Sequence, residues 1–139
     1  MQENNVVFDT NVWVSYFIKH KAKEISAMKA NSGIEIFRCD ELTDELKDVL
    51  GRAKIKKKLT HTVEDCLEIY ELATTPVSVT AKFTGCRDPK DNFLFDLALA
   101  AKAKYIVSGD RDVTETKTEE PIETVSLTRF KEILRSRNN

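Results

Sequence analysis

Four acids in this chain stand where an element of secondary structure should begin or end. Asp9 follows the apolar run Asn5-Val6-Val7-Phe8, and Glu45 lies within Thr43-Asp44-Glu45-Leu46. Asp91 lies within Asp88-Pro89-Lys90-Asp91-Asn92, and Asp110 closes Ile106-Val107-Ser108-Gly109-Asp110. A parallel sheet collects the carboxyl ends of its strands along one edge, so acids far apart in sequence can meet in one crevice there. Crowded carboxylates repel one another, and the remedies are a shared proton or a bound divalent cation. A sparse, all-oxygen donor set suits Mg²⁺ better than zinc, and His20 and His61 are isolated from these motifs. A cation held this way lowers the pKa of a coordinated water and neutralises charge on a pentacovalent phosphate; two of them about 4 Å apart would stabilise both attacking and leaving oxygens. Such hydrolysis needs no side-chain nucleophile.

The elements that must position these acids follow from periodicity. Asn5 to Phe8 suits a buried central strand. Trp13 to Ile18 and Ala22 to Ala30 read as helical, the second stopped by Asn31-Ser32-Gly33, and Ile34 to Phe37 alternates as a strand. Asp40 is expected to cap a helix running to Leu50, with Gly51 just past its end and Leu42, Leu46, Val49 and Leu50 forming one buried stripe. At about 100° per residue, Glu45 lies roughly 90° from the centre of that stripe, nearer the core boundary than Glu41, Asp44 or Asp48. Thr60-His61-Thr62 opens a helix carrying Val63, Cys66, Leu67, Ile69, Tyr70 and Leu72, which Pro76 stops, and Val77-Ser78-Val79 is the next expected strand. Ala81 to Arg87 reads as a loop. Pro89 favours the first turn of a largely buried helix from Phe93 to Ala103, followed by strand Tyr105-Ile106-Val107. A charged loop from Asp112 to Glu120, an edge strand Glu123-Thr124-Val125 and a helix from Leu127 to Leu134 complete the chain. Alternating strands and helices predict an α/β sandwich with a parallel sheet of four to five strands between helical layers.

Each acid also has a purely structural explanation. Asp9-Thr10-Asn11 is a favourable N-cap sequence, Asp88 before Pro89 is a natural cap, Asp91 in a first helical turn complements the helix dipole, and Asp110 and Asp112 suit a tight turn. Independent caps need not converge on one end of the sheet, and here they do. Asp96, within Phe93-Leu94-Phe95-Asp96-Leu97, must reach solvent or find a partner. It lies about 140° around the helix from Asp91, too far to share one ion, and reads as a surface or supporting residue.

Composition bounds the rest. At 139 residues, 41% hydrophobic and 32% charged, the chain suits one soluble domain with a real core. No stretch resembles a signal peptide or a membrane span, which points to the cytoplasm. Cys39, Cys66 and Cys86 are odd in number and lack metal-ligand spacing, as free structural thiols would. The net charge of −1 conceals the run Arg52-Ala53-Lys54-Ile55-Lys56-Lys57-Lys58, which puts five cations into seven residues. Such a run is a solvated face or, beside an acidic crevice, a grip for a phosphate backbone.

Taken in order, Asp9-Thr10-Asn11 after an apolar strand, the Glu45 helix, Arg87-Asp88-Pro89-Lys90-Asp91-Asn92 opening an Ala/Leu-rich helix, and Val107-Ser108-Gly109-Asp110-Arg111-Asp112 resemble the PIN-domain nucleases. The likeness spans Val6 to Leu134 and is closest to the bacterial branch of toxins from toxin-antitoxin pairs. It implies a metal-dependent endoribonuclease using Mg²⁺ or Mn²⁺, with Asp9, Glu45, Asp91 and Asp110 as metal-binding catalytic acids and Asp112 assisting. It further implies Asn11 and Ser108 as orienting residues, substrate contacts from Arg87, Arg52 and Lys54, and products with 5′-phosphate and 3′-hydroxyl ends. An RNA substrate, an antitoxin partner and a homodimer or higher oligomer are the implied associations, with Trp13, Tyr16 and Phe17 either a dimer surface or ordinary core. The competing readings are a catalytically silent RNA- or protein-binding module of the same fold and a receiver-like Mg²⁺-binding signalling domain. A receiver would need an acid ending Val77-Ser78-Val79-Thr80 and a lysine where Ser108-Gly109-Asp110 stands. A haloacid-dehalogenase phosphatase would need a second aspartate in Asp9-Thr10-Asn11.

Overall fold

The computed structural model describes residues 2–118 and 120–137. Its strands are β1 (Gln2–Phe8), β2 (Glu35–Arg38), β3 (Thr74–Pro76), β4 (Ala103–Val107) and β5 (Glu123–Val125), joined in one sheet of order β3-β2-β1-β4-β5. Every neighbouring pair is parallel. The helices flanking this sheet are α1 (Thr10–Ile18), α2 (Lys23–Ser32), α3 (Asp40–Gly51), the short α4 (Ala53–Lys56), α5 (Val63–Ala73), α6 (Asn92–Ala101), the short α7 (Arg111–Thr114) and α8 (Leu127–Arg137). This is the expected PIN-like three-layer α/β sandwich. No helix among the described residues is long and apolar enough to cross a membrane.

The order of the strands decides where a ligand belongs. From central β1 the chain winds outward through β2 to β3, returns through α6, and continues on the other side of β1 with β4 and β5. The direction of winding therefore reverses between β1 and β4, and the crevice outside the carboxyl ends of two such strands is where open α/β sheets bind ligands. A receiver has flavodoxin-like order 2-1-3-4-5. The order here differs, which removes that reading.

Local sequence explains how the site-bearing elements are held. Val6, Val7 and Phe8 of β1 and Ile106 and Val107 of β4 are fully buried, as strands covered on both faces must be. Leu42, Leu46 and Leu50 seat α3 on the core, each contributing about 1.5–3 kcal/mol by burial. Helix α6 and strand β4 are separated only by Lys102, whose left-handed φ of 54° makes the tight reversal. Trp13, Tyr16 and Phe17 are at most 4% exposed, with the Trp13 ring between Phe8, Phe17 and Tyr70. They are ordinary core, the second of the two readings offered for them.

Several boundaries differ from expectation for physical reasons. The third strand is Thr74–Pro76 rather than Val77-Ser78-Val79. The two β-branched threonines pair with Ile36 and Phe37, Pro76 is tolerated because β3 is an edge, and β2 ends at Arg38 with only the Val77 N–H still bonding it. Cys39 rather than Asp40 occupies the N-cap of α3, and Gly51 lies inside that helix. Helix α6 stops at Ala101, so Ala103 belongs to β4. The expected loop from Asp112 to Glu120 begins with α7, which Asp110 caps; Glu119 lies outside the described residues, as do Met1, Asn138 and Asn139. Leu72, one of the apolar residues expected on the helix that is α5, is 79% exposed.

Candidate metal centre

Strand register brings the first two polar groups together. Phe8 pairs with Val107, so the residues that follow, Asp9 and Ser108, leave the sheet side by side. The Asp9 N–H donates to the Val107 carbonyl at 2.9 Å, and the Ser108 hydroxyl donates to Asp9 Oδ2 at 2.7 Å. That same Ser108 oxygen accepts from the Asp110 N–H at 3.0 Å. Ser108 is fully buried and thus ties the ends of β1 and β4, with their acids, into one unit. Asp9 Oδ1 accepts from the Thr10 N–H at 2.7 Å, the N-cap role its residue type favours.

The other two acids arrive on helices. Residue Glu45 is in the second turn of α3, which packs against α1 beside Asp9, and Asp91 ends the 3-10 turn Pro89–Asp91 that opens α6. Asp88 Oδ1 caps this turn by accepting from the Lys90 N–H at 3.0 Å, and Asp91 feels the charges of Asp110, Asp9 and Glu45. Glu45 is exposed as a residue, not at the core boundary as expected, although its carboxyl end is shielded enough to be perturbed.

Electrostatics record the convergence of all four. Burial raises the pKa of Asp9, hydrogen bonds from Ser108 and Thr10 pull it back, and the charge of Asp110 raises it further. Burial and then Asp9 raise that of Glu45, while the Thr10 hydroxyl and Arg52 oppose the shift. Asp91 is pushed up to about 7, by burial first and then by Asp110, Asp9, Asp88 and Glu45. Distant parts of the chain therefore share one basin of negative charge, in which the Asp91 carboxyl is pushed up to about 7.

The residues fit a hydrated divalent cation. All donors are oxygens, their mutual repulsion is what a cation relieves, and the Thr10 hydroxyl is buried with no hydrogen-bond partner. Among the described residues, no group of three or more His, Cys, Asp or Glu side chains is placed to hold a metal ion.

The remaining expected site residues are more dispersed. Asp112 donates its N–H to Asp110 Oδ1 at 2.9 Å, but its carboxylate pairs with Arg87 at 3.1 Å, and Arg87 also reaches Glu115 at 3.4 Å. Arg52 pairs with Asp48 at 2.8 Å, Lys54 is exposed on α4, and Asn11 is exposed in the first turn of α1. Asp96 is not a surface residue. It is 5% exposed and its Oδ1 accepts the backbone N–H groups of Lys82 at 3.1 Å and Phe83 at 2.9 Å, while the Phe83 ring stacks on Phe95. Sequence reasoning missed this clamp, although a lone carboxylate on an apolar helix signals that a partner must exist.

A search of curated proteins finds no match to the chain. A sequence model described as the PIN domain matches residues 5–112, a span that runs from β1 through Asp9, Glu45, Asp91 and Asp110 to the first turn of α7. The chain belongs to the PIN-domain family, whose members are generally nucleases that typically use divalent metal ions.

Proposed function

We propose that the protein is a cytoplasmic Mg²⁺- or Mn²⁺-dependent endoribonuclease, acting as the toxin of a toxin-antitoxin pair. The observation that carries this reading is the gathering of acids at the reversal point of the sheet, where Asp110 is tied to Asp9 through Ser108 and the pKa values of Asp9, Glu45 and Asp91 are raised. When bound, the cation supplies an activated water and offsets charge on the scissile phosphate. The chain's own residues do the rest. Asp9, Glu45, Asp91 and Asp110 offer the oxygens; Ser108 fixes Asp9 relative to Asp110, and Asp112 restrains Arg87 at the rim. Arg52, Lys54 and Arg87 draw in the RNA backbone, with Asn11 at the mouth of the crevice. Arg87, itself well exposed, must leave half-buried Asp112 and exposed Glu115 to do so, a small cost for surface ion pairs.

The test is cleavage of structured and single-stranded RNAs by the purified protein with Mg²⁺, Mn²⁺ or EDTA, alongside Asp9→Asn and Asp91→Asn. Metal-dependent cutting that both variants lose supports the proposal. Cutting that survives EDTA or either substitution overturns it, and RNA binding without cutting identifies a silent module. The toxin role is tested separately by whether induced expression arrests growth and whether the product of an adjacent gene relieves it.

A further inference from the structure

Thr10 is 1% exposed, and its hydroxyl is without a hydrogen-bond partner among the described residues. Two other buried polar atoms on the same helix, Trp13 Nε1 and Tyr16 OH, share that condition, but they belong to large rings that the core requires for their bulk. Thr10 has no such excuse. A buried hydroxyl left unpaired is destabilising, and valine has the same shape without that cost. Nor does the usual local bond rescue it. A helical threonine commonly turns its hydroxyl to the carbonyl one turn back, whereas Thr10 is the first residue of α1 and one turn back lies strand β1.

Its surroundings supply a reason for the hydroxyl. The Thr10 N–H is spent on Asp9, helix α1, which Thr10 opens, packs against α3, which carries Glu45, and the Thr10 side chain lowers the pKa of the Glu45 carboxyl. Glu45 is the one crevice acid that stands on a long, largely exposed side chain with three free torsions. Carboxylates that ligate metals are generally oriented by a neighbouring donor. We propose that Thr10 is a positioning residue whose hydroxyl is a donor reserved for the Glu45 carboxylate, fixing it when a divalent cation enters the crevice. This role rests on the crevice being a cation site.

The experiment measures Mn²⁺ binding to the whole chain by titration calorimetry, for the parent, Thr10→Val and Thr10→Ser, together with thermal unfolding of each in EDTA. The expected result is binding weakened about tenfold or more by Thr10→Val and restored by Thr10→Ser, with the EDTA melting temperature of Thr10→Val equal to or above the parent's. Unchanged affinity in Thr10→Val overturns the role of Thr10 while leaving the cation site intact. Equal weakening in Thr10→Ser, or a lower melting temperature of Thr10→Val in EDTA, assigns the residue to packing and also overturns it. Absence of Mn²⁺ binding by the parent removes the cation site and the role of Thr10 together.

Discussion

Asp9 and Asp96 are equally withdrawn from water, each 5% exposed, yet they sit in opposite company. Asp96 accepts two backbone N–H groups from one loop. Asp9 receives one backbone N–H and one hydroxyl, and must also bear Asp110, Glu45 and Asp91 nearby. One carboxylate has been buried with its needs met, whereas the other shares a basin whose needs the chain alone leaves unmet. Burial of a carboxylate therefore does not mark a site; unresolved repulsion does.

The sharpest way to break this contrast is to neutralise the crowded member. Asp9→Asn keeps an N-cap residue and removes one charge, so metal-dependent RNA cleavage should fall on the order of 100-fold or more while stability in EDTA holds or rises. A gel assay beside a melting curve reads both, and a variant that cuts normally would end the distinction. The converse is expected of Asp96→Ala, which leaves the Lys82 and Phe83 N–H groups without their acceptor and should cost about 2 kcal/mol in urea unfolding. A loss below about 0.5 kcal/mol would mean the clamp is idle.

Acidity sharpens the comparison further. The pKa of Asp91 is raised from 3.8 to about 7 on folding, so the folded chain holds more protons than the unfolded chain between those values. Its contribution to stability is thus fully present below pH 3.8 and is lost as pH rises through 7, and the raised pKa values of Asp9 and Glu45 act in the same direction. In EDTA the melting temperature should decline from pH 5 to pH 8, less steeply in Asp91→Asn, whereas the rise in melting temperature on adding Mn²⁺ should be larger at pH 8 than at pH 6. A Mn²⁺ effect independent of pH would detach the acids from the ion. The smallest effect belongs outside the basin: Lys54→Ala should weaken RNA binding a few-fold and lower the slope of log affinity against log salt by about one, as the loss of a single phosphate contact does.

Legibility in the sequence followed the kind of force at work. The sheet, the α3 stripe and the placing of Asp9, Asp91 and Asp110 at strand and helix ends could be read because burial imposes periodicity and turn chemistry punctuates it, whereas Glu45 stands inside α3. Thr74 to Pro76 was not recognised as a strand because its pairing depends on where β2 runs out, a fact about another segment. The seat of Asp96 was hidden for the same reason: its partners are main-chain groups 13 and 14 residues away, and a backbone N–H carries no residue identity to recognise. Ser108 was expected as an orienting residue from the family resemblance, but its place as the joint between Asp9 and Asp110 needs the β1 to β4 register.

That anonymity has a further use. Because α6 holds the loop before it through the main chain of Lys82 and Phe83 and the ring of Phe83, the exposed side chains of Ala81, Lys82 and Thr84 are not what the grip recognises. The tether is indifferent to spelling there, so these three positions offer a place where new surface chemistry could be written next to the turn bearing Asp91 while the attachment itself endures.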